Sequence, residues 1–372
     1  MKKLVFKLIT LFFFLLITMN IGSTAIGKEF SIKNYWEEGG VLQSEEYYSI
    51  DKPESFYDLE VTSDVIYKYS ENTSIENAIF NHSQTSRPYN YTLAQFSTRL
   101  DPGFLSRVRN TFGPEDRVDI NFTVSGGFID FFVFNQSQYS LWLESTNEQQ
   151  IEGLKLIGTE IGASDSIIFT VEDDYYFVWF NNPLQNLDNS LDVQVRLDAR
   201  ISEKTEIGEI ELDPTTLKTP DSESIDDFGM DTSDWTIDDE ISIEIEERDV
   251  FFKIMFEDDV TIDYNNRTVK IPCWVLLKEN YERIFAEEES IKVQGELYLW
   301  KSMYSGITLK STADLEYYDS NDTLLAVYYD KNTVISASNV LLVAKSSSIP
   351  VSLIPAIFGL IIVTNYNRKK KK

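Results

Sequence analysis

Residues 117–135 read RVDINFTVSGGFIDFFVFN, and this stretch decides the fold class. Val118, Ile120, Phe122 and Val124 alternate with Asp119, Asn121 and Thr123, the period of a strand with one buried and one wet face. Gly126-Gly127 supplies a turn, and Phe128–Asn135 returns as a second, more apolar strand, so a hairpin is predicted. Downstream, Tyr139–Leu143 reads as another short strand, and a polar stretch turns helical near Gln149–Leu154. Ser166–Val171 is a strand, and Asp173-Asp174 makes a turn into Tyr175–Asn181 (YYFVWFN). Leu191, Val193, Val195 and Leu197 then alternate with Asp192, Gln194 and Arg196. Short strands broken by turn residues at regular spacing predict an antiparallel β-sandwich over residues 114–202.

Residues 28–113 read as an irregular N-terminal region with a few strands. Phe56–Tyr69 alternates well enough for one or two strands, and Glu71–Pro102 reads as long surface loops rich in Asn, Ser and Thr. Phe104–Phe112 suits one short helix. Residues 203–240 carry Asp213, Asp221, Asp226, Asp227, Asp231, Asp234, Asp238 and Asp239 with Pro214 and Pro220, the composition of an extended acidic linker. Residues 241–345 read as a second β domain: Ile241, Ile243 and Ile245 alternate, Val250–Phe256 and Val269–Leu277 are candidate inner strands, and Val293–Trp300, Ile307–Tyr318 and Thr323–Tyr329 then read as a meander. The expected turns fall at Tyr304-Ser305-Gly306 and Asp319–Asp322. The expected fold is all-β, with two antiparallel β-sandwich or curved-sheet domains.

The two ends predict export. Lys2, Lys3 and Lys7 precede the apolar run Leu8–Ile17 and the small residues Ser23, Thr24 and Ala25, the layout of a signal peptide over residues 1–27. Near the other end, IPVSLIPAIFGLIIV (residues 349–363) is followed by TNYNRKKKK. That order predicts a single transmembrane helix over 349–366 and a basic cytoplasmic tail at 367–372. A processed sorting signal exchanged for a lipid is the alternative, and both readings end at a membrane. Seven Asn-x-Ser/Thr acceptors lie between the ends: Asn72, Asn81, Asn90, Asn121, Asn135, Asn266 and Asn321. The expected product is a cell-surface glycoprotein, bulk extracellular, with membrane, protein or glycan partners.

A formal charge of −28 repels nucleic acid and anionic lipid and attracts divalent cations. Cys273, the sole cysteine, lies in the apolar run VKIPCWVLL and reads as a buried inert thiol. His82, the sole histidine, reads as a solvated loop residue, and one His with one Cys makes no zinc site. Neither a Walker-type nor a dinucleotide-binding glycine pattern occurs, so no enzyme and no cofactor are expected. Calcium is the one candidate ion, with Asp173, Asp174, Asn186, Asp188 and Asp192 as loop oxygen donors.

The pairing of FTVSGGFIDFFVFN with FTVEDDYYFVWFNN resembles the GOLD-type β-sandwich of secretory-pathway cargo proteins and related jelly-roll modules on archaeal surface proteins. In that family a strand carrying an Asp between apolar residues (here Asp130) precedes a Tyr-rich strand ending in Asn (here Asp174–Asn181). The chain lacks the family's paired cysteines and its coiled coil, so the cargo-receptor role is not carried over; Lys369–Lys372 reads as a stop-transfer block rather than a dilysine signal. The sub-patterns YLWKSMYSGITLKS and VYYDKNTVISAS both place aromatics before a turn, which resembles lipoprotein-carrier-like curved sheets. Three roles follow in order: a surface binding, adhesion or envelope-structural protein; a tethered carrier or sensor of an apolar ligand held after residue 240; and a carboxylate-based surface hydrolase.

Overall fold

A computed structural model describes residues 30–52, 59–71, 77–144, 155–160, 162–186, 189–221, 223, 225–245, 248–279 and 292–343. The chain begins a large sheet with β1 (Trp36–Asp51), β2 (Leu59–Ser70) and β3 (Ala78–Ser86). It then leaves for an eight-stranded sandwich: β4 (Tyr89–Leu100), β5 (Leu105–Phe112), β6 (Arg117–Ser125), β7 (Ile129–Asn135), β8 (Lys155–Glu160), β9 (Gly162–Ile168), β10 (Asp173–Phe180) and β11 (Leu191–Ile201). It returns as β12 (Lys204–Leu212), which pairs with β3 from Ser86↔Lys204 onward. The remaining strands are β13 (Glu240–Ile245), β14 (Arg248–Tyr264), β15 (Thr268–Glu279), β16 (Lys292–Ser302), β17 (Thr308–Tyr318) and β18 (Leu324–Val340). The sandwich is therefore an insertion into a host sheet. Its two crossings leave from paired neighbours, which lets a separate core be added without disturbing the host ladder.

The sandwich sheets run β4-β11-β6-β9 and β5-β10-β7-β8, which is jelly-roll connectivity. Between them lies one core, with Phe122, Phe131, Phe177 and Trp179 at its centre. The alternation in β11 is as the sequence suggests, with Leu191, Val193, Val195, Leu197, Ala199 and Ile201 all buried. The Gly126-Gly127 turn, however, does not close a hairpin. β6 and β7 belong to different sheets, so the turn arches across the core. Gly126 sits at φ +102, and a Cβ at Gly127 would collide with the Asn186 side chain. β7 is apolar on both faces because both are covered. Phe131 and Val133 meet the facing sheet, while Phe132 and Phe134 pack under the helix α1 (Gln136–Glu144) through Tyr139 and Trp142. Asn135 N–H donates to Gln138 Oε1 and Gln138 N–H donates to Asn135 Oδ1, both at 2.9 Å, a capping box that starts this helix where a strand was expected.

Other expectations also change. Within the expected loop region 71–102, the described residues from 77 onward contain β3 and β4, and residues 105–112 form β5 rather than a helix. Threonine and asparagine there fill the wet faces of strands, so a polar composition hid the period. The 203–240 segment opens with β12, and the rest packs back onto the host sheet, burying Leu212, Leu217 and Phe228. It is a strap, not a free linker.

The host sheet runs β12-β3-β2-β1-β18-β17-β16-β15-β14-β13. Strands β14–β18 form a meander, and VYYDKNTVISAS lies inside one unbroken strand, β18. β14 also pairs with β18 in parallel through Asp263↔Ser336 and Tyr264↔Ala337, closing β14–β18 into a ring. A closed antiparallel meander of five strands must close in parallel, because its first and last strands run the same way. Residues 1–27, expected to be a signal peptide, residues 349–372, Gln149–Leu154, Asn72 and Asp188 lie outside the described residues. Among those described, no helix is long and apolar enough to cross a membrane.

Candidate functional site

One face of the host sheet carries a continuous set of side chains fixed by register. Leu42 lies across from Tyr67, Ser44 from Val334, and Ser311 stands between Asn332 and Leu299. The strap crosses this face at residues 225–230 and is pinned along its length. Ile225 N–H donates to Leu217 O, Trp36 Nε1 donates to Phe228 O at 3.0 Å, and Met230 N–H donates to Ser305 O. Phe228 anchors it, 4.1 Å from the Phe80 ring and edge-on to Tyr67 at 5.2 Å. Gly229 sits at φ +134 with Ser305 O 3.0 Å from where a Cβ would be, so the strap can lie this close only with glycine there.

Beneath the strap is a partly open cavity of about 340 Å³, with Leu42, Ile225, Phe228, Ile243, Leu299, Leu309 and Val334 among its walls. Into it comes Lys301, 1% exposed. A β-bulge between Trp300 and Lys301 aligns Thr308 with Lys301. The Lys301 ammonium donates to Thr308 Oγ1 at 2.9 Å and to Asp226 O at 3.2 Å, both uncharged oxygens. Burial pushes its pKa below the ordinary value against the pull of Asp227 and Asp226. Trp274, opposite Lys301 on β15, has an indole N–H without an acceptor.

Farther along the same face, Glu46 accepts from Ser63 Oγ at 2.6 Å and Gln84 Nε2 at 2.8 Å. Asp330, beside it, has one carboxylate oxygen with no hydrogen-bond partner. Burial, and then repulsion from Glu46, push Asp330 up to about 6. Its folded pKa is raised, so the stability it contributes is present below the unfolded value near 4 and is lost as pH rises through about 6. The shift corresponds to about 3 kcal/mol, which screening at this partly wet position reduces to about 1–2 kcal/mol. Asp330→Asn is therefore expected to stabilise the protein by that amount at pH 7–8 and by nothing at pH 4. Urea unfolding at both pH values checks it; an equal effect at both would show that the charge is not responsible.

The four described residues among the expected calcium donors do not come together. Asp174 is held by Arg109 and by Thr111 Oγ1, whose hydrogen bonds keep its carboxyl below the usual range. Asp173 caps the Asp174 N–H at 2.8 Å. Asn186 lies beyond the far end of β10, buried, its amide fully engaged with both backbone groups of Phe128 and with Asn181 Oδ1. Asp192 points outward from β11. Among the described residues, no three His, Cys, Asp or Glu side chains are grouped to hold a metal. Asp130 and Asn181, the residues of the GOLD-type resemblance, share this end: Asp130 accepts from Asn182 and Gln185, and Asn181 donates to Leu100 O and Asn189 O.

The sequons Asn81, Asn90, Asn121, Asn266 and Asn321 are exposed, while Asn135 is half-buried in its helix cap. His82 is not in a loop; it stacks on Tyr67 from β3 with ring centroids 5.0 Å apart. Cys273 is buried, and burial pushes its thiol up to about 12. Sequence reasoning missed Lys301. The signal was a cation breaking the apolar run of β16, YLWKSM, but the bulge that gives it a partner cannot be read from spacing. No protein-family model matches this sequence, and no curated protein matches it.

Proposed function

We propose that this chain is an exported β protein held at the membrane by its C-terminal segment, and that its host domain binds a small, mainly apolar ligand beneath the 225–229 strap. The observation that carries this is the cavity of about 340 Å³, which falls in the range of small-ligand pockets and whose wall surface is mostly apolar, although Ser44, Asp226, Asp227, Lys301, Ser311 and Asn332 also line it. The signal-peptide pattern, the apolar C-terminal run with its basic tail and the exposed sequons support an extracellular setting. The pinned strap suits a carrier or sensor, because it covers the ligand while remaining a separate, peelable segment. The jelly-roll connectivity supports the likeness to GOLD-type and surface modules, whose place here is a presenting module inserted into the binding domain.

Native mass spectrometry of the full chain isolated from its own cells tests the reading. A mass excess released only on denaturation is expected, and a clean apo mass together with no uptake of added apolar probes would sink it. One observation favours adhesion alongside binding. The outer face of sheet β4-β11-β6-β9 is a shallow polar depression formed by Gln95, Ser97, Asn121, Thr123, Gln194 and Arg196, a surface rich in amides and hydroxyls that suits a sugar.

A further inference from the structure

Lys301 is the deepest cation of the described host sheet, and the fold gives it two uncharged acceptors and no directly bonded counter-charge. Its hydrophobic neighbours leave the ammonium desolvated, and its two acceptors are a backbone carbonyl and a hydroxyl. An ammonium has three donors, so one N–H remains beyond these two bonds. The nearby carboxylates do not replace a direct partner. Asp227 is exposed on the strap, and the Asp226 residue offers Lys301 its carbonyl oxygen. A buried charge that is incompletely paired is costly, and a ligand that brings the missing counter-charge recovers that cost on binding. Leu42, Leu309 and Val334 give the cavity beside it an apolar stretch of wall, with Ser44, Ser311 and Asn332 interspersed.

We propose that the ligand of this pocket carries a single carboxylate, which accepts a charge-assisted hydrogen bond from Lys301, with its apolar tail along the β1–β18–β17 face. This rests on the pocket reading given above and names its substrate class. The geometry fits a short acid. At about 30 Å³ per water-sized group, the cavity holds roughly ten or eleven non-hydrogen atoms, the size of a medium-chain monocarboxylate. Lys301 in turn supports the strap through Asp226 O, so a head group seated at its ammonium sits directly under the strap's pin. Head-group recognition and closure of the strap then share one side chain.

Calorimetric titration of the full chain at pH 7 with octanoate and with 1-octanol separates the two readings. Octanoate is expected to bind about ten- to a hundredfold more tightly than the alcohol, the range for a hydrogen bond to a charged group. In Lys301→Met, which keeps an unbranched side chain but no charge, that preference should vanish while the alcohol still binds. Equal binding of acid and alcohol by the wild-type protein would overturn the carboxylate assignment and leave the apolar pocket standing. Binding of neither probe would overturn both. The comparison within the wild-type protein decides the matter even where Lys301→Met folds poorly.

Discussion

Asp116→Ala is expected to cost about 3–5 kcal/mol, the loss typical of breaking a buried ion pair and leaving its partners bare. Asp116 is fully buried at the β5–β6 turn, and its carboxylate gathers four donors. It accepts from Gly113 N–H at 2.8 Å, from Ser202 N–H at 2.9 Å and Oγ at 3.0 Å, and from Lys204 Nζ at 2.9 Å. Ser202 and Lys204 lie on the link from β11 to β12, where the sandwich rejoins the host sheet. One carboxylate thus ties the β5–β6 turn of the insertion to its last crossing. Alanine leaves two backbone amides without this acceptor and Lys204 without its partner.

The pH dependence has a definite sign. Burial alone would push the Asp116 carboxyl up, but hydrogen bonds from Gly113, Ser202 and Lys204 outweigh it and hold the group below its ordinary value. Its contribution is therefore present above the unfolded pKa near 4 and is lost as pH falls through the lower folded value. Wild type and Asp116→Ala should differ most at neutral pH and converge in strong acid. Urea unfolding at pH 7 and pH 3 measures this. A difference below about 1 kcal/mol at pH 7 would show that the four bonds are redundant.

The sandwich was legible where one face of each strand is wet. β6 and β11 alternate strictly, and every inward residue of β11 is buried. β7 and β10 were recognisable as strands from their aromatics, but their covered outer faces could not be foreseen, because α1 was masked by the strand-like residues Tyr139–Leu143. Chain order misled most at the domain level. The insertion depends on β3 pairing with β12, more than a hundred residues apart, and such a pairing leaves no local periodicity. The 213–230 strap looked like a linker because its apolar residues Leu217, Ile225 and Phe228 are sparse. A segment that needs only a few anchors to lie on an existing face shows no helical or strand period. The proposed calcium donors were read from turn residues, and the structure uses Asn186 and Asp174 to hold the sandwich ends together. The pocket was legible only as an apolar face after residue 240, since part of its wall comes from Leu42, Ser44 and Tyr67 near the start of the chain and its cover from the 225–228 strap.

The strap makes the second large prediction. Phe228→Ala is expected to cost about 3–5 kcal/mol, the usual range for removing a buried phenyl ring. Phe228 is 2% exposed and fills the space between Phe80, Tyr67 and Trp36, so truncation leaves a void bordered by three aromatic rings. The void adjoins the cavity, so the change also unseats the lid. Amide exchange should rise at Ile225, Gly229 and Met230, whose N–H groups are bonded to Leu217, Asp226 and Ser305. Apolar probes should leave the pocket faster as the strap opens. The sandwich core shares no buried residue with the host core that holds Phe228. Protection at the amides of β10 and β11 should therefore persist in the Phe228 variant while the strap exchanges. Asp116→Ala should show the reverse pattern, with early loss in the sandwich and a protected strap. Uniform loss across both regions in both variants would mean that host and insertion unfold as one unit, and that the strap is not an independently opening cover.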